Sequence, residues 1–416
     1  VNVKEGAVQK RAVVSAIAAV GVLATPARAD VVSDWNEKVI ALLTNARMAP
    51  PQAERVMAMV HVAMFDAVNA IDKRYRPYLI QPEAQATASK EAAAATAAGK
   101  VLLGLYPQGE VELKAALAAY LSTLPAGEAK VAGTRLGETV AGHVLAARAQ
   151  DGSDAPDSYR PKAKPGVYVP TPITVGSVWP KLVPFALTSP SQFRPHPPVA
   201  LTSQQWATDF NEIKSFGAHE SSTRSARQTE AARFWLTPGP VIYYPIVRQI
   251  AAAKNLSVLD SARLLALVAV ARSDAFIAVF DAKYHYDFWR PVTAIRNGDI
   301  DDNPATEPDA SWLPLADTPM HPEYPCAHCI MASTMASVIE SLFAGTELPE
   351  VSLTSPTAPG VTHHWTNLQA LVDEVMDARI WAGFHYRFST RIGAEMGRKI
   401  GDYTVRSVMQ PTAFVR

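Results

Sequence analysis

The chain has 416 residues, of which 48% are hydrophobic, and this is enough to bury the core of one large domain or two smaller ones. Its 39 basic and 39 acidic residues give a formal net charge of zero. Nucleic-acid-binding proteins carry a clustered excess of Lys and Arg, so this pattern excludes nucleic acid as an expected partner. Any anion chemistry must therefore come from local charge.

The first residues, 1–29, have the pattern of a secretory signal peptide. A positive segment over 4–11 precedes an apolar run over 12–25, and an A-x-A cleavage pattern follows at 27–29. The alternative is a membrane anchor, but the run is shorter than the ~20 residues that span a bilayer. We therefore expect a periplasmic or secreted protein with no stable membrane insertion after removal of the signal.

Apolar residues spaced three and four apart predict helices through most of the chain. Four such patterns over 30–150 predict an N-terminal helical bundle, and helical patterns resume in 204–416 as a C-terminal bundle. A stretch rich in Pro, Ser and Thr, ending at Thr362, is predicted to be a loop. Because strand-like alternation is rare, we expect an all-α fold held by helix–helix packing.

Residues 151–203 differ from the rest because they hold a large share of the 32 prolines. Long segments without regular structure in a compact domain are usually functional or wrap the surface. We interpret this segment as a Pro-rich crossover between the two bundles, and the alternative is a disordered linker. Its aromatic residues Tyr168, Trp179, Phe185 and Phe193 favour a segment that packs.

Residues 321–329, with the sequence His-Pro-Glu-Tyr-Pro-Cys-Ala-His-Cys, lead into a predicted helix. Pro325 suits the start of a helix, where its missing N–H would have no partner anyway. We expect the helix to begin near Cys326, so that its free N–H groups and the positive end of its dipole lie beside His328. Such a helix start is a suitable anion-binding site.

Two further stretches carry cations that could serve this site. Lys283 and Arg290 flank an aromatic-rich segment, and Pro291 predicts that a new helix starts there with Arg290 at its cap. The alternative is a structural Arg paired with a carboxylate. Arg379 and His385 are six residues apart, about 240° around an ideal helix, so they share a side only if the helix ends between them. Gly383 is well placed to end it.

Together the three stretches spell Lys-x6-Arg-Pro, Pro-Cys-Ala-His and Arg-x5-His, in that order. They resemble the pattern Lys-x6-Arg-Pro, Pro-Ser-Gly-His, Ser-Arg-x5-His of the superfamily of vanadium-dependent haloperoxidases and type 2 phosphatidic acid phosphatases (PAP2). Stretches at 45–51, 64–70 and 192–195 are similar to its exported, chloroperoxidase-like bacterial branch. The resemblance covers nearly all of the mature chain and implies two packed helical bundles of the vanadium chloroperoxidase and PAP2 type.

The resemblance also implies a role for each matching residue. His385 would be the apical ligand of vanadate, and so the metal ligand, or the nucleophile that takes a phosphoryl group in the same site. Lys283, Arg290 and Arg379 would bind the equatorial oxygens, and Lys283 would polarise bound peroxide. His328 would be the general acid and base. Three cations and a helix start are physically suited to offset the charge of an oxyanion.

Three residues depart from the family pattern, and two of them would contact the cofactor. Cys326 and Ala327 replace Ser and Gly in the cofactor-binding set, and Ala378 replaces the Ser before the arginine. A thiol is a weaker hydrogen-bond donor than a hydroxyl, and near cations it can ionise and repel an anion. Ala327 still offers its backbone N–H. These departures bear on vanadate affinity more than on the fold.

The two cysteines, Cys326 and Cys329, form a C-x-x-C, which has other known uses. Two cysteines are too few for a disulfide framework, and a c-type haem site would need His where Ile330 stands. Zinc would need further ligands from scattered histidines, and a thioredoxin-like pair would need a βαβ context rather than helical flanks. A cysteine phosphatase would need Arg where Ala332 stands.

The leading hypothesis is a vanadate-dependent haloperoxidase that oxidises halide with hydrogen peroxide to hypohalous acid. The alternative is a soluble exported acid phosphatase that acts on a phosphomonoester through a phosphohistidine at His385, with phosphate in place of vanadate. A third hypothesis, suggested by Cys326, is a catalytically silent scaffold. The resemblance allows a homo-oligomer, and the halide and organic substrate stay open.

Overall fold

The computed structural model describes residues 30–170 and 173–412, and thirteen α-helices form most of the regular structure in these ranges. The predicted signal peptide, 1–29, lies outside the described residues. In chain order the helices are α1 (Val31–Asn45), α2 (Pro50–Asp72), α3 (Lys90–Leu105), α4 (Glu110–Ser122), α5 (Glu128–Ala147), α6 (Gln204–Phe216), α7 (Ala226–Phe234), α8 (Pro240–Ala253), α9 (Val258–Tyr286), α10 (Pro291–Arg296), α11 (Ala327–Leu342), α12 (Leu368–Trp381) and α13 (Arg387–Ser407).

The prediction of an all-α fold is confirmed, with one local correction. Strands β1 (Val351–Ser355) and β2 (Ala358–Trp365) pair as an antiparallel hairpin where a loop ending at Thr362 was predicted, and β2 continues beyond that residue. Along β1, buried residues alternate with more exposed ones, which is the period of a strand with one covered face. In the described ranges, no helix combines the length and apolar character needed to cross a bilayer.

Helices α2 and α9 form the centre of the fold. The buried part of α9 runs from Leu259 to Lys283 and includes nearly every residue between them. A helix that is covered on all sides belongs to the core of a large protein. Helix α2 is also mostly buried and packs against both α3 and α9. The C-terminal end of α9, which carries Lys283, is therefore held by the core, while the division of the chain at 150 and 204 stays a prediction.

Helices α11 and α13 lie close together because glycines of α13 face α11. A Cβ atom at Gly393 would lie 2.5 Å from the carbonyl oxygen of Cys326, and one at Gly397 would collide with the carbonyl oxygen of Ile330. Glycine inside a helix costs about 1 kcal/mol relative to alanine, which close packing here offsets. Helix α13 thereby fixes the position of the first turn of α11.

The described part of 151–203 lies against the C-terminal half of α9. Trp179 and Phe185 are buried. The carboxylate of Asp274, on α9, accepts three hydrogen bonds of 2.6–2.8 Å from consecutive backbone N–H groups at 185–187. A buried carboxylate satisfied by backbone donors is a specific anchor, because leaving it unpaired would be costly. The segment is thus placed beside the end of α9, where the candidate site lies.

Candidate functional site

The candidate site lies where three segments meet: the first segment (283–290), the second segment (321–328) and the third segment (379–385). In the first, α9 ends just after Lys283, since Asp287 adopts a left-handed conformation with φ of 52°. Arg290 is then the N-cap of α10, with Pro291 at its first position, as the sequence predicts. This break between helices turns both cations toward the second segment.

Lys283 is fully buried and is bound by backbone carbonyls. Its Nζ donates to the carbonyl oxygens of Pro322 at 2.8 Å and Glu323 at 2.7 Å. An ammonium has three donors, so one remains for another acceptor. Burial, followed by the nearby charge of Arg290, lowers the pKa of Lys283 well below its usual range. An anion bound here would favour the charged form again.

Arg290 is also buried, and it bridges the second and third segments. Its Nε donates to the carbonyl oxygen of His321 at 2.9 Å, and its Nη1 donates to that of Phe384 at 2.9 Å. Nη1 also lies 3.3 Å from Nε2 of His385. Burial lowers the pKa of Arg290 to about 10, which still leaves a cation at neutral pH. Its hydrogen bonds in the described residues are to carbonyl and imidazole acceptors, so the alternative of an Arg paired with a carboxylate is wrong.

The second segment places a helix start at the site, as expected. Cys326 is the N-cap of α11, and its Sγ accepts from the backbone N–H of Cys329 at 3.3 Å. Ala327 and His328 are the first two helical residues, whose N–H groups have no acceptor within a helix. Nε2 of His328 is buried and has no hydrogen-bond partner among the described residues.

The third segment turns sharply at Gly383, as the sequence predicts. Gly383 has φ of 80°, and a Cβ there would lie 2.5 Å from the carbonyl oxygen of Gly217. Helix α12 therefore ends after Arg379, and His385 follows in the turn before α13. Arg379 donates from Nη1 to the carbonyl oxygen of Trp235 at 2.7 Å, while its buried Nε has no partner among the described residues.

Glu323 is a residue that sequence reasoning missed. Its carboxylate is fully buried, and Oε1 accepts from Nδ1 of His385 at 2.8 Å and from the backbone N–H of Tyr386 at 3.1 Å. Burial raises the pKa of Glu323 to about 8, although Lys283 and Arg290 act in the opposite direction. Because Nδ1 donates to this carboxyl group, Nε2 of His385 keeps its lone pair for another partner.

His321 is a second residue without an assigned role in the sequence pattern. Its Nδ1 lies 2.9 Å from Nη2 of Arg290, which can only donate, and 3.1 Å from the carbonyl oxygen of Pro322, which can only accept. The ring packs edge-on against Phe280 with centroids 5.4 Å apart. Burial, then the charges of Lys283 and Arg290, lower the pKa of His321 well below its usual value. The site thus contains three imidazoles rather than two.

A cavity of about 470 Å³ opens above these residues. Its lining includes His321, Ala327, His328, Arg379 and His385, and we call this part of the lining the floor. Burial and the surrounding cations lower the pKa values of His328 and His385, so both rings are neutral at physiological pH. For Cys326, burial would raise the pKa, but the hydrogen bonds from Cys329 and the charges of Arg379 and Lys283 outweigh it and lower the pKa.

The residues present fit a tetrahedral oxyanion. Nε of Arg379 and Nε2 of His328 are buried polar atoms without partners among the described residues, and unsatisfied buried atoms of this kind need an explanation. The helix start adds N–H groups, and Lys283 has a remaining donor. A bound oxyanion would satisfy these groups and neutralise the desolvated charges. Fold and site together define a helical protein with a buried pocket whose lining is suited to an oxyanion.

Comparisons with known proteins agree with this class. The family model "VCPO second helical-bundle domain" matches residues 263–413. The vanadium chloroperoxidase of Curvularia inaequalis is 27% identical over 232 residues, which cover 41% of this chain and 37% of that protein. The match thus spans little more than a third of the relative's length. Residues 263–413 therefore match the second helical-bundle domain of vanadium chloroperoxidases, and the chain is similar to these enzymes.

Solved structures show the same fold. A bacterial vanadium-dependent iodoperoxidase superposes with a TM-score of 0.77 at 23% identity, over 92% of this chain and 98% of that one. The apo form of a bacterial vanadium-dependent chloroperoxidase gives a TM-score of 0.68 at 18% identity, over 86% of this chain and 93% of that one. At these identities the likeness concerns the fold.

Proposed function

We propose that the protein is a vanadate-dependent haloperoxidase that oxidises halide with hydrogen peroxide to hypohalous acid. The observation that supports this most strongly is the cluster of three buried cations whose charges act on the imidazole of His385 and lower its pKa. Lys283, Arg290 and Arg379 bring positive charge to one small volume, and the first turn of α11 adds backbone N–H groups. In a site shielded from water such groups bind an oxyanion far more strongly than they would in solution.

The proposal assigns vanadate to this pocket as the cofactor. Bound vanadate would supply the Lewis acidity that activates hydrogen peroxide toward halide. His385 would be the ligand through Nε2, because Glu323 occupies its Nδ1. The three cations would hold the oxygens and keep the anion in place.

His328 is suited to move the proton that the reaction consumes. Halide, hydrogen peroxide and one proton give hypohalous acid and water. The pKa of His328 is lowered by burial and by Arg379, so the neutral ring can accept a proton from incoming peroxide. Its Nε2 has no competing partner among the described residues, and the ring lines the cavity floor.

A phosphatase is the second candidate, and one contact favours it. The buried carboxyl group of Glu323 at Nδ1 of His385 is the arrangement that supports an imidazole nucleophile, since it stabilises the ring when positive charge develops. His328 would then protonate the leaving alcohol of a phosphomonoester. Cys326 in place of Ser lowers the expected affinity for an anion. This matters more for vanadate, which must stay bound between turnovers, than for a phosphate ester, which is bound and released in each turnover.

The experiment that separates these functions measures both activities on one preparation. Purified protein is incubated with orthovanadate and assayed for peroxide-dependent halide oxidation and for hydrolysis of p-nitrophenyl phosphate. We expect halide oxidation that requires vanadate and is lost in His385→Ala. The matched control is His143→Ala, which removes an exposed histidine on α5. Phosphate ester hydrolysis that vanadate inhibits, without halide oxidation, would instead establish the phosphatase.

A third outcome tests the silent-scaffold hypothesis. If neither activity is present and Cys326→Ser restores one of them, the native chain keeps the fold without the chemistry.

We also propose that the protein acts outside the cytoplasm, because residues 1–29 have the pattern of a signal peptide. N-terminal sequencing of protein from the periplasm or medium should begin at Asp30, and retention of 1–29 on cytoplasmic protein would contradict export.

A further inference from the structure

The cavity above the oxyanion site is larger than a halide ion and hydrogen peroxide need. Its volume is about 470 Å³, within the range of about 300–1,000 Å³ in which pockets bind organic molecules. Most polar side chains of the described lining belong to the floor, and the other polar residues of that lining are Tyr243 and Asp317. The wall above the floor is otherwise apolar and is formed by several elements of the fold, including Val175, Leu236, Phe276, Phe280, Met320 and Met331.

The charge of the lining argues for an uncharged ligand. Above the floor, the charged side chain in the described lining is Asp317, which is solvent-exposed in the loop before the second segment. A carboxylate at this edge repels anions, and an apolar wall offers no partner to a charged group that leaves water. A charged organic molecule would therefore lose hydration without compensation in the upper cavity.

The shape of the wall argues for a ring. Phe276 and Phe280 lie one turn apart on α9 with nearly parallel rings, at a centroid distance of 6.0 Å and an interplanar angle of 15°. Phe384 closes the wall near Arg379, whose guanidinium lies 4.7 Å from the ring centroid. Aromatic rings pair well in offset-stacked or edge-on geometry, and the unbranched side chain of Met331 adapts to the outline of a ligand.

We infer that the upper cavity binds an uncharged aromatic molecule and that this molecule is the halogen acceptor. This inference rests on the proposed haloperoxidase function. Hypohalous acid formed at the floor would react with the bound ring: a carbon–halogen bond forms, a ring C–H bond breaks, and the released proton joins hydroxide as water. The position of attack is then set by how the ring lies over the site.

Binding is tested first, on protein free of vanadate, with 1-naphthol as the probe in calorimetric titration. We expect saturable binding of one molecule per chain. Leu236→Trp adds bulk to the half-buried edge of the cavity and should weaken probe binding at least about tenfold, because a clash replaces a contact. Val111→Trp is the matched control, since Val111 is 82% exposed on α4 and lies outside the lining.

Product analysis gives the second readout. We expect the ratio of 2- to 4-halogenated 1-naphthol from the enzyme to differ from the ratio given by reagent hypohalite, and to move toward the reagent ratio in Leu236→Trp. Halide oxidation with no saturable probe binding and with the reagent ratio would overturn the inference and leave the function standing. Probe binding that Leu236→Trp weakens, in protein that never oxidises halide, would support the aromatic pocket and refute the haloperoxidase.

Discussion

Replacement of Cys326 by Ser should tighten the binding of vanadate. Cys326 caps α11 and is fully buried between the first turn of that helix and the cations of the site. The thiol is a poor donor, whereas a hydroxyl in the same place can donate to an anionic oxygen. The change is small in volume and keeps an acceptor for the N–H of Cys329, so the helix start should survive.

The magnitude follows from the type of hydrogen bond gained. A hydrogen bond to a charged group contributes about 1.5–3 kcal/mol, and the thiol already supplies part of this. We therefore expect a gain of about 1–2 kcal/mol, equivalent to about 5–30-fold tighter binding. The direction in which vanadate affinity changes with pH also follows from the thiol. A thiolate repels the anion, so native affinity should fall as pH rises through the lowered pKa of Cys326. This part of the fall should be absent in Cys326→Ser, which keeps the later fall caused by ionisation of Glu323, whose pKa is about 8.

The assay is a calorimetric titration with orthovanadate from about pH 6 to about pH 9, a range that covers thiol ionisation. Cys329→Ser is the matched control, because the Cβ of Cys329 packs against α13 at Gly393. Equal affinities for native protein and Cys326→Ser at every pH would refute the reasoning and would mean that residue 326 does not face the anion.

Two further predictions concern the residues that hold the site together. Glu323→Ala removes a carboxyl group whose pKa of about 8 leaves it mostly uncharged at neutral pH, and we expect vanadate affinity there to fall about 10–100-fold because the ring of His385 loses its orienting partner; unchanged affinity in the same titration would contradict this role. Gly397→Ala should lower the free energy of unfolding by at least about 2 kcal/mol in a denaturant titration, because its Cβ would collide with the carbonyl oxygen of Ile330. Gly142→Ala, whose Cβ would meet open space on α5, should instead raise stability by up to about 1 kcal/mol, and equal effects of the two changes would contradict the packing argument.

Local sequence signals were sufficient to predict the helix ends that shape the site. Pro291 marks the start of α10, Gly383 the end of α12, and Cys326 the cap of α11, and each acts through backbone rules that depend on a few neighbouring residues. The burial of α9 also follows from its own sequence, because apolar residues lie on nearly all sides of the helix.

What the sequence did not predict depends on distant contacts. Glu323 and His385 are 62 residues apart, and no local period links a carboxylate to an imidazole over that distance. The hairpin was not predicted because the alternation of apolar and polar residues along its strands is short and includes Ser and Thr. Helix α1 was not predicted either, although Asp30 caps it through hydrogen bonds to the N–H groups of Val32 and Ser33.

The placement of Lys283 at the end of a helix sunk in the core has a consequence for heat inactivation. Surface loops can usually open while the remainder of a molecule stays folded, and enzymes whose key groups lie on such loops lose activity below the melting temperature. Here the ammonium of Lys283 can be displaced only if α9 moves, and α9 can move only if the hydrophobic core around it unfolds. Activity and tertiary structure should therefore disappear at the same temperature.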